Sequence, residues 1–151
     1  MKLDAKTTAL LLIDLQKGVL AMPVAPHPAA EVYQSSMQLA QRFRAANAPV
    51  VQVRVSFSSD FADAPRPPVD QPTNYASLPP GWDEFPEPPP LSDLVITKRQ
   101  WGARSAAEHG YELVIPENLC SSSSAEMHAF SFKYLLPRLA RITTSDEITL
   151  E

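Results

Sequence analysis

The chain has one cysteine and four glycines among its 151 residues. A single cysteine excludes an internal disulfide framework and a cysteine-rich zinc site. Scarce glycine weighs against phosphate cradles and nucleophile elbows, and no G-x-G-x-x-G, G-x-x-x-x-G-K-[ST] or G-x-S-x-G motif occurs. Long apolar runs are missing as well. The longest, Ala9–Ile13, is far too short to span a bilayer, and the first residues lack the apolar core of a signal peptide. Positive charge is in deficit: the net charge is −4, so no general affinity for nucleic acid is expected. His27, His109 and His128 are scattered and show no metal-ligand spacing, and no metal or cofactor is expected. What is present is a 44% hydrophobic, 20% charged composition, enough for a buried core. One cytoplasmic domain over 1–151 is the expectation from length and composition.

Proline is the exception to the shortages. Ten of the 16 prolines fall between Pro65 and Pro90. They mark 56–92 as a Pro-rich loop, in which Phe57, Phe61, Tyr75, Trp82 and Phe85 are interspersed. A bare polyproline-like segment needs no such aromatics. They predict a loop that packs onto something, with a partner subunit as one option, and so a homo-oligomer.

Around that loop the pattern is that of an α/β protein. Residues 7–14 form a continuous apolar run ending in Asp14, as a buried parallel strand does. Residues 28–46 place Val32, Met37, Leu39, Ala40 and Phe43 on one helical face, with Asn47 suited to a left-handed cap and Pro49 as a stop. Strands follow at 50–55, at 93–98 ending in Lys98, at 111–115 and at 139–143. A short helix is predicted over 100–109. A second, over 125–136, has an apolar stripe of Met127, Phe130, Tyr134 and Leu135, and residues 145–148 open a terminal turn. Strand–helix–strand within about fifty residues is the βαβ signature.

Ligands of doubly wound sheets bind at the carboxyl ends of the strands. Asp14 and Lys98 are the charged residues at such ends. They form either a functional pair in one crevice or an ordinary ion pair at a sheet edge. Ser124 and His128, one helical turn apart, are open to two readings, a catalytic pair or a helix cap. Cys120 lies just past a strand and before a helix. It is either a buried, inert thiol or a nucleophile.

Leu11-Leu-Ile-Asp-Leu-Gln16, Val95-Ile-Thr-Lys-Arg-Gln-Trp-Gly-Ala103, Glu108-His-Gly-Tyr-Glu-Leu-Val-Ile115 and the tail from Cys120 through Pro137-Arg-Leu-Ala140 together resemble the isochorismatase-like cysteine hydrolases. The likeness runs through nearly the whole chain, in order. It implies a doubly wound, mostly parallel sheet with helices on both faces. It also implies a hydrolase of small amides, imides, carbamoyl compounds or a related enol ether. By motif, Asp14 matches the family's catalytic aspartate and Lys98 its lysine. Their implied roles are base for the thiol and electrostatic partner of aspartate and oxyanion.

The third member of the family's Asp–Lys–Cys triad has no counterpart. In the family the segment after Trp-Gly-Ala continues through a helix and a strand to a Gly-containing nucleophile loop. Here Ala103 runs straight into Arg104. Cys120 matches a later Cys-Ser-Ser segment, not the nucleophile. Roughly thirty-odd residues, about one strand–helix unit, are missing. The expectations are therefore an impaired hydrolase or, alternatively, a non-catalytic small-molecule binder or oligomeric scaffold. The sheet should also lack one central strand and helix. Either residues 111–115 take the vacant place or the sheet keeps a gap with open edges.

Overall fold

A computed structural model describes residues 1–70, 72–99 and 109–151. Its strands are β1 (Lys2–Leu3), β2 (Leu10–Ile13), β3 (Val50–Val55), β4 (Leu94–Lys98), β5 (Val114–Pro116), β6 (Arg141–Thr143) and β7 (Thr149–Leu150). The α-helices among the described residues are α1 (Lys17–Leu20), α2 (Ala29–Ala45) and α3 (Ala125–Phe130). All named strand pairings are parallel, as a doubly wound α/β fold requires.

The main sheet has the order β2-β3-β4. The middle strand β3 is buried on both faces. Val50, Val51, Val53, Val55 and even Gln52 are buried, which is why its sequence is almost unbroken valine. Helix α2 covers one face. It turns Val32, Ser36, Leu39, Ala40 and Phe43 inward, and Leu39, Ala40 and Phe43 form the core with Leu12, Ala48, Val50 and Ile148. Ser36 takes the place expected of Met37, which packs at the margin of that core. The helix ends as its sequence requires, with Asn47 at φ 55°.

On the other face, among the described residues, the flanking strands are open: Leu11, Ile13, Leu94 and Ile96 are 40–62% exposed, while Val51 and Val53 between them are buried. The helix expected at 100–109 lies, apart from His109, outside the described residues.

Strand β5 does not fill the vacant place beside β2. Among the described residues its partner is β6 alone, in a separate two-stranded sheet. Of the two alternatives, the described residues keep the gap. This explains a shortened element: Tyr111 to Leu113, read as strand, are not strand, and β5 starts only at Val114, where β6 supplies a partner. The C-terminal part is held to the rest by other contacts. Ala25 and Ser122 exchange two backbone hydrogen bonds of 2.9 Å, Leu119 packs against the core, and β7 pairs with β1.

The helix expected over 125–136 is α-helical only to Phe130. A wider π turn (Ser131–Leu135) and a 3-10 turn (Leu136–Arg138) follow, the latter containing Pro137, which cannot continue the helical bonding. The predicted apolar stripe is not buried. Met127, Phe130, Tyr134 and Leu135 are exposed, and the buried residue of α3 is His128. Like the open sheet face, this stripe has no cover among the described residues.

The loop 56–92 packs on itself. Phe57 lies 5.3 Å from Tyr75 and 5.9 Å from Trp82, and Phe61 lies 5.7 Å from Tyr75 (ring centroids). The Tyr75 hydroxyl donates to the Pro65 carbonyl at 2.8 Å. Four of the loop's five aromatics, Phe57, Phe61, Tyr75 and Trp82, thus pack on one another within the chain. The loop is pinned to α1 where the Gly18 N–H donates to the Trp82 carbonyl at 2.8 Å. A Cβ at Gly18 would sit 2.9 Å from Trp82 Cβ and O, so this close approach requires glycine.

Candidate functional site

The site is built by the parallel register. Ile13 is opposite Val53 and Val55 is opposite Lys98, so β2 and β4 end at the same edge with β3 between them. Strands two places apart are about 9–10 Å apart. The long lysine side chain closes that distance. Lys98 Nζ donates to Asp14 Oδ2 at 2.8 Å, with the side chains 14% and 26% exposed. The two residues singled out at strand ends are thus brought together.

Two features set this pair apart from an ordinary surface ion pair. Asp14 sits at φ 61°, a left-handed conformation uncommon outside glycine and one that concentrates at functional sites. Its second oxygen, Oδ1, is buried and accepts no hydrogen bond among the described residues. A buried carboxylate oxygen without a donor is uncommon and calls for an explanation. Immediately downstream, Gln16 is completely buried and acts as a piece of strand. Its side-chain amide accepts from Val55 N–H at 2.9 Å and donates to the Val55 carbonyl at 3.1 Å. Gln16 Nε2 also reaches the Trp82 carbonyl at 3.3 Å. One side chain thereby fixes the chain beyond Asp14, the end of β3 and the Pro-rich loop. A shallow cleft of about 430 Å³ opens on that loop, lined in part by Phe57, Phe61, Leu78, Trp82 and Asp83.

Cys120 has the environment of an inert thiol. It closes the 3-10 turn Glu117–Leu119 and its Sγ contacts the Pro116 carbonyl at 3.5 Å. Burial, and then the charge of Glu117, push its pKa up to about 11. Thiolate is the reactive form, so at neutral pH Cys120 offers almost none. Ser124 is a cap. Its hydroxyl accepts from Met127 N–H at 3.2 Å and starts α3. His128 turns instead to Glu117, Nε2 to Oε1 2.5 Å, and His27 Nε2 approaches the same oxygen at 3.4 Å. Two of the three histidines that look scattered in sequence, His27 and His128, converge here, and only the tertiary fold reveals it.

The Isochorismatase domain family matches residues 8–105 and 102–147. The chain belongs to the isochorismatase family. It is 38% identical to the uncharacterised isochorismatase family protein YecD of Escherichia coli O157:H7, over 98% of this chain and 97% of that protein. An isochorismatase family protein of Burkholderia thailandensis has a similar structure, with a TM-score of 0.89, 28% identity, and coverage of 97% and 95% of the two chains. N-carbamoylsarcosine amidase of Thermoplasma acidophilum shares the fold at a TM-score of 0.66 and 16% identity, with 93% and 97% covered. The two pieces of the isochorismatase match meet at 102–105, where Ala103 runs into Arg104. The alignment with YecD extends over 183 positions although this isochorismatase-family chain has 151 residues, so at least 32 positions, the difference, face a gap. Among the described residues no helix is long and apolar enough to cross a membrane.

Proposed function

We propose that this isochorismatase-family chain binds a small amide, imide or carbamoyl compound against Asp14 and Lys98, and that its hydrolysis is impaired because the nucleophile segment is absent. The Oδ1 of Asp14, which has no donor among the described residues, carries the reading. It is a charged acceptor held beside an ammonium at the carboxyl edge of a parallel sheet, where α/β proteins take their ligands. An amide or imide N–H donates to Oδ1, and the Lys98 ammonium supports the opposing carbonyl oxygen. That is the ground-state half of an acyl-transfer site.

The other half is a nucleophile that the base deprotonates. The family match breaks where that segment is expected, and the lone thiol, Cys120, is held in its protonated form by its surroundings. Activation by Asp14 therefore has no target within this chain.

Asp14→Asn tests the binding half cleanly. Asparagine tolerates the left-handed backbone and keeps the side-chain shape, so folding is retained while the charge is removed. Calorimetric or NMR titration with a panel of small amides and imides should give a ligand whose affinity falls at least about tenfold in the variant, the scale of one charge-assisted hydrogen bond. Neither protein should turn that ligand over. Equal binding by both proteins would refute the role of Asp14, and turnover by the unmodified chain would refute the impairment.

A further inference from the structure

We propose that His27, Glu117 and His128 form a binding site for one divalent transition-metal ion of the zinc or cobalt type, which clasps the C-terminal part of the chain onto the segment preceding α2. The site is separate from Asp14 and Lys98, and the proposal does not depend on the reading given above.

Three donors from three different segments converge. Their ligand atoms all lie within 4.8 Å of one another. In a tetrahedral shell with bonds of about 2.0–2.1 Å, donor atoms stand about 3.3 Å apart. His27 Nε2 and Glu117 Oε1, at 3.4 Å, already have that spacing. His128 Nε2 and Glu117 Oε1, at 2.5 Å, need to part by less than about 1 Å, within reach of a rotation of the glutamate side chain. Two imidazoles and one carboxylate suit zinc, cobalt, nickel or iron and disfavour magnesium and calcium, which call for more oxygen ligands. Side-chain exposure is 32% at His27, 34% at Glu117 and 6% at His128, so the cluster is backed by protein and open on one side, where water completes the shell.

The positions of the donors are set before any ion arrives. The Ser121 hydroxyl accepts from His27 N–H at 3.2 Å and donates to the His27 carbonyl at 2.7 Å. The Ala25–Ser122 bridge fixes the same strip of backbone. His128 is held in α3 by the Ser124 cap, with its ring 4.5 Å from Phe132. Glu117 Oε1 already lies against the Nε2 atoms of both histidines. The location supplies a purpose. Among the described residues β5 and β6 share no sheet hydrogen bonds with β2, β3 or β4, so an ion at this point joins two parts that the sheet does not.

The experiment is a cobalt(II) titration of the intact chain followed by visible absorption, with zinc titration by calorimetry and thermal unfolding in parallel. One equivalent of cobalt should bind with the intense visible bands of a four-coordinate site, and zinc should displace it and raise Tm. His27→Asn, at a partly exposed position, and Glu117→Gln should each weaken binding at least tenfold, with circular dichroism confirming that both variants fold. Calcium and magnesium should not raise Tm. Three results would each overturn the proposal: no stoichiometric binding, octahedral-type weak bands unaffected by either substitution, or equal stabilisation by calcium. In each case the cluster is a hydrogen-bonded triad only.

Discussion

Inserting between Ala103 and Arg104 the segment of YecD that faces no residue here should raise the stability of the chain and steepen its denaturant unfolding. The alignment with YecD leaves at least 32 positions facing a gap, the family match breaks at 102–105, and among the described residues the sheet is interrupted. A strand entering between β2 and β5 would be paired on both edges. It would bury several side chains, each contributing about 1.5–3 kcal/mol before the entropy of ordering is subtracted. Against a usual domain stability of about 5–15 kcal/mol, that is a large change. The slope of unfolding free energy against urea should rise too, because it scales with the area exposed on unfolding. The open apolar face supplies the second readout. Leu11, Ile13, Leu94 and Ile96 should bind a hydrophobic dye and drive concentration-dependent self-association in the present chain, and both should fall in the insertion variant. A variant with unchanged midpoint, slope, dye binding and sedimentation would show that the segment does not belong in that gap.

Asp93→Ala should cost about 3–5 kcal/mol, the range for breaking a buried ion pair by removing one partner. The Asp93 side chain is 1% exposed. It accepts two bonds from the Arg44 guanidinium, at 2.8 and 2.6 Å, and a third from Gln52 Nε2 at 2.8 Å. These contacts tie the last turn of α2 to the entry of β4 and to the middle of β3. Truncating Asp93 leaves the guanidinium and the buried Gln52 amide without their acceptor. The Arg44 bond, followed by the Gln52 bond, holds the Asp93 carboxyl below its ordinary value despite burial. The folded-state pKa is depressed, so this stabilisation is fully present above the unfolded value of about 3.9 and is lost as pH falls through the folded one. Urea titrations of the two proteins should therefore differ widely at pH 7 and converge toward pH 2. A gap that stays constant with pH would contradict the assignment.

The legible parts of the fold are those whose cause is local. Residues 28–46 read as a helix because the apolar face, the Asn47 cap and Pro49 all agree, and α2 occupies Ala29–Ala45. β3 reads correctly because a central parallel strand is apolar on both faces. Asp14 and Lys98 were found from a topological rule, strand ends at one sheet edge, and the structure pairs them. What was not legible depends on long-range contact. β1 and β7 are two residues each, too short for any periodicity, and exist only because the chain ends meet. The cluster of His27, Glu117 and His128 joins residues far apart in sequence. The stripe on α3 misled for the same reason: spacing shows that a face is apolar, not whether anything covers it. Likewise the aromatics of 56–92 show in sequence only that the loop packs onto something, and the structure packs four of them on one another.

The central claim is that this chain keeps the charged pair of a hydrolase site and has no nucleophile to go with it. The most direct test is the intact mass of the protein expressed from its own gene, read before and after iodoacetamide at neutral pH without denaturant. The account predicts that Ala103 is joined directly to Arg104 in that product, with no mass added there, and no adduct, with one adduct appearing at Cys120 only after unfolding. A thiol with a pKa of about 11 is alkylated roughly a hundredfold more slowly than an ordinary one. A mass higher by about 3–4 kDa, as a segment of ordinary composition would add, or rapid labelling of the folded chain, would contradict it.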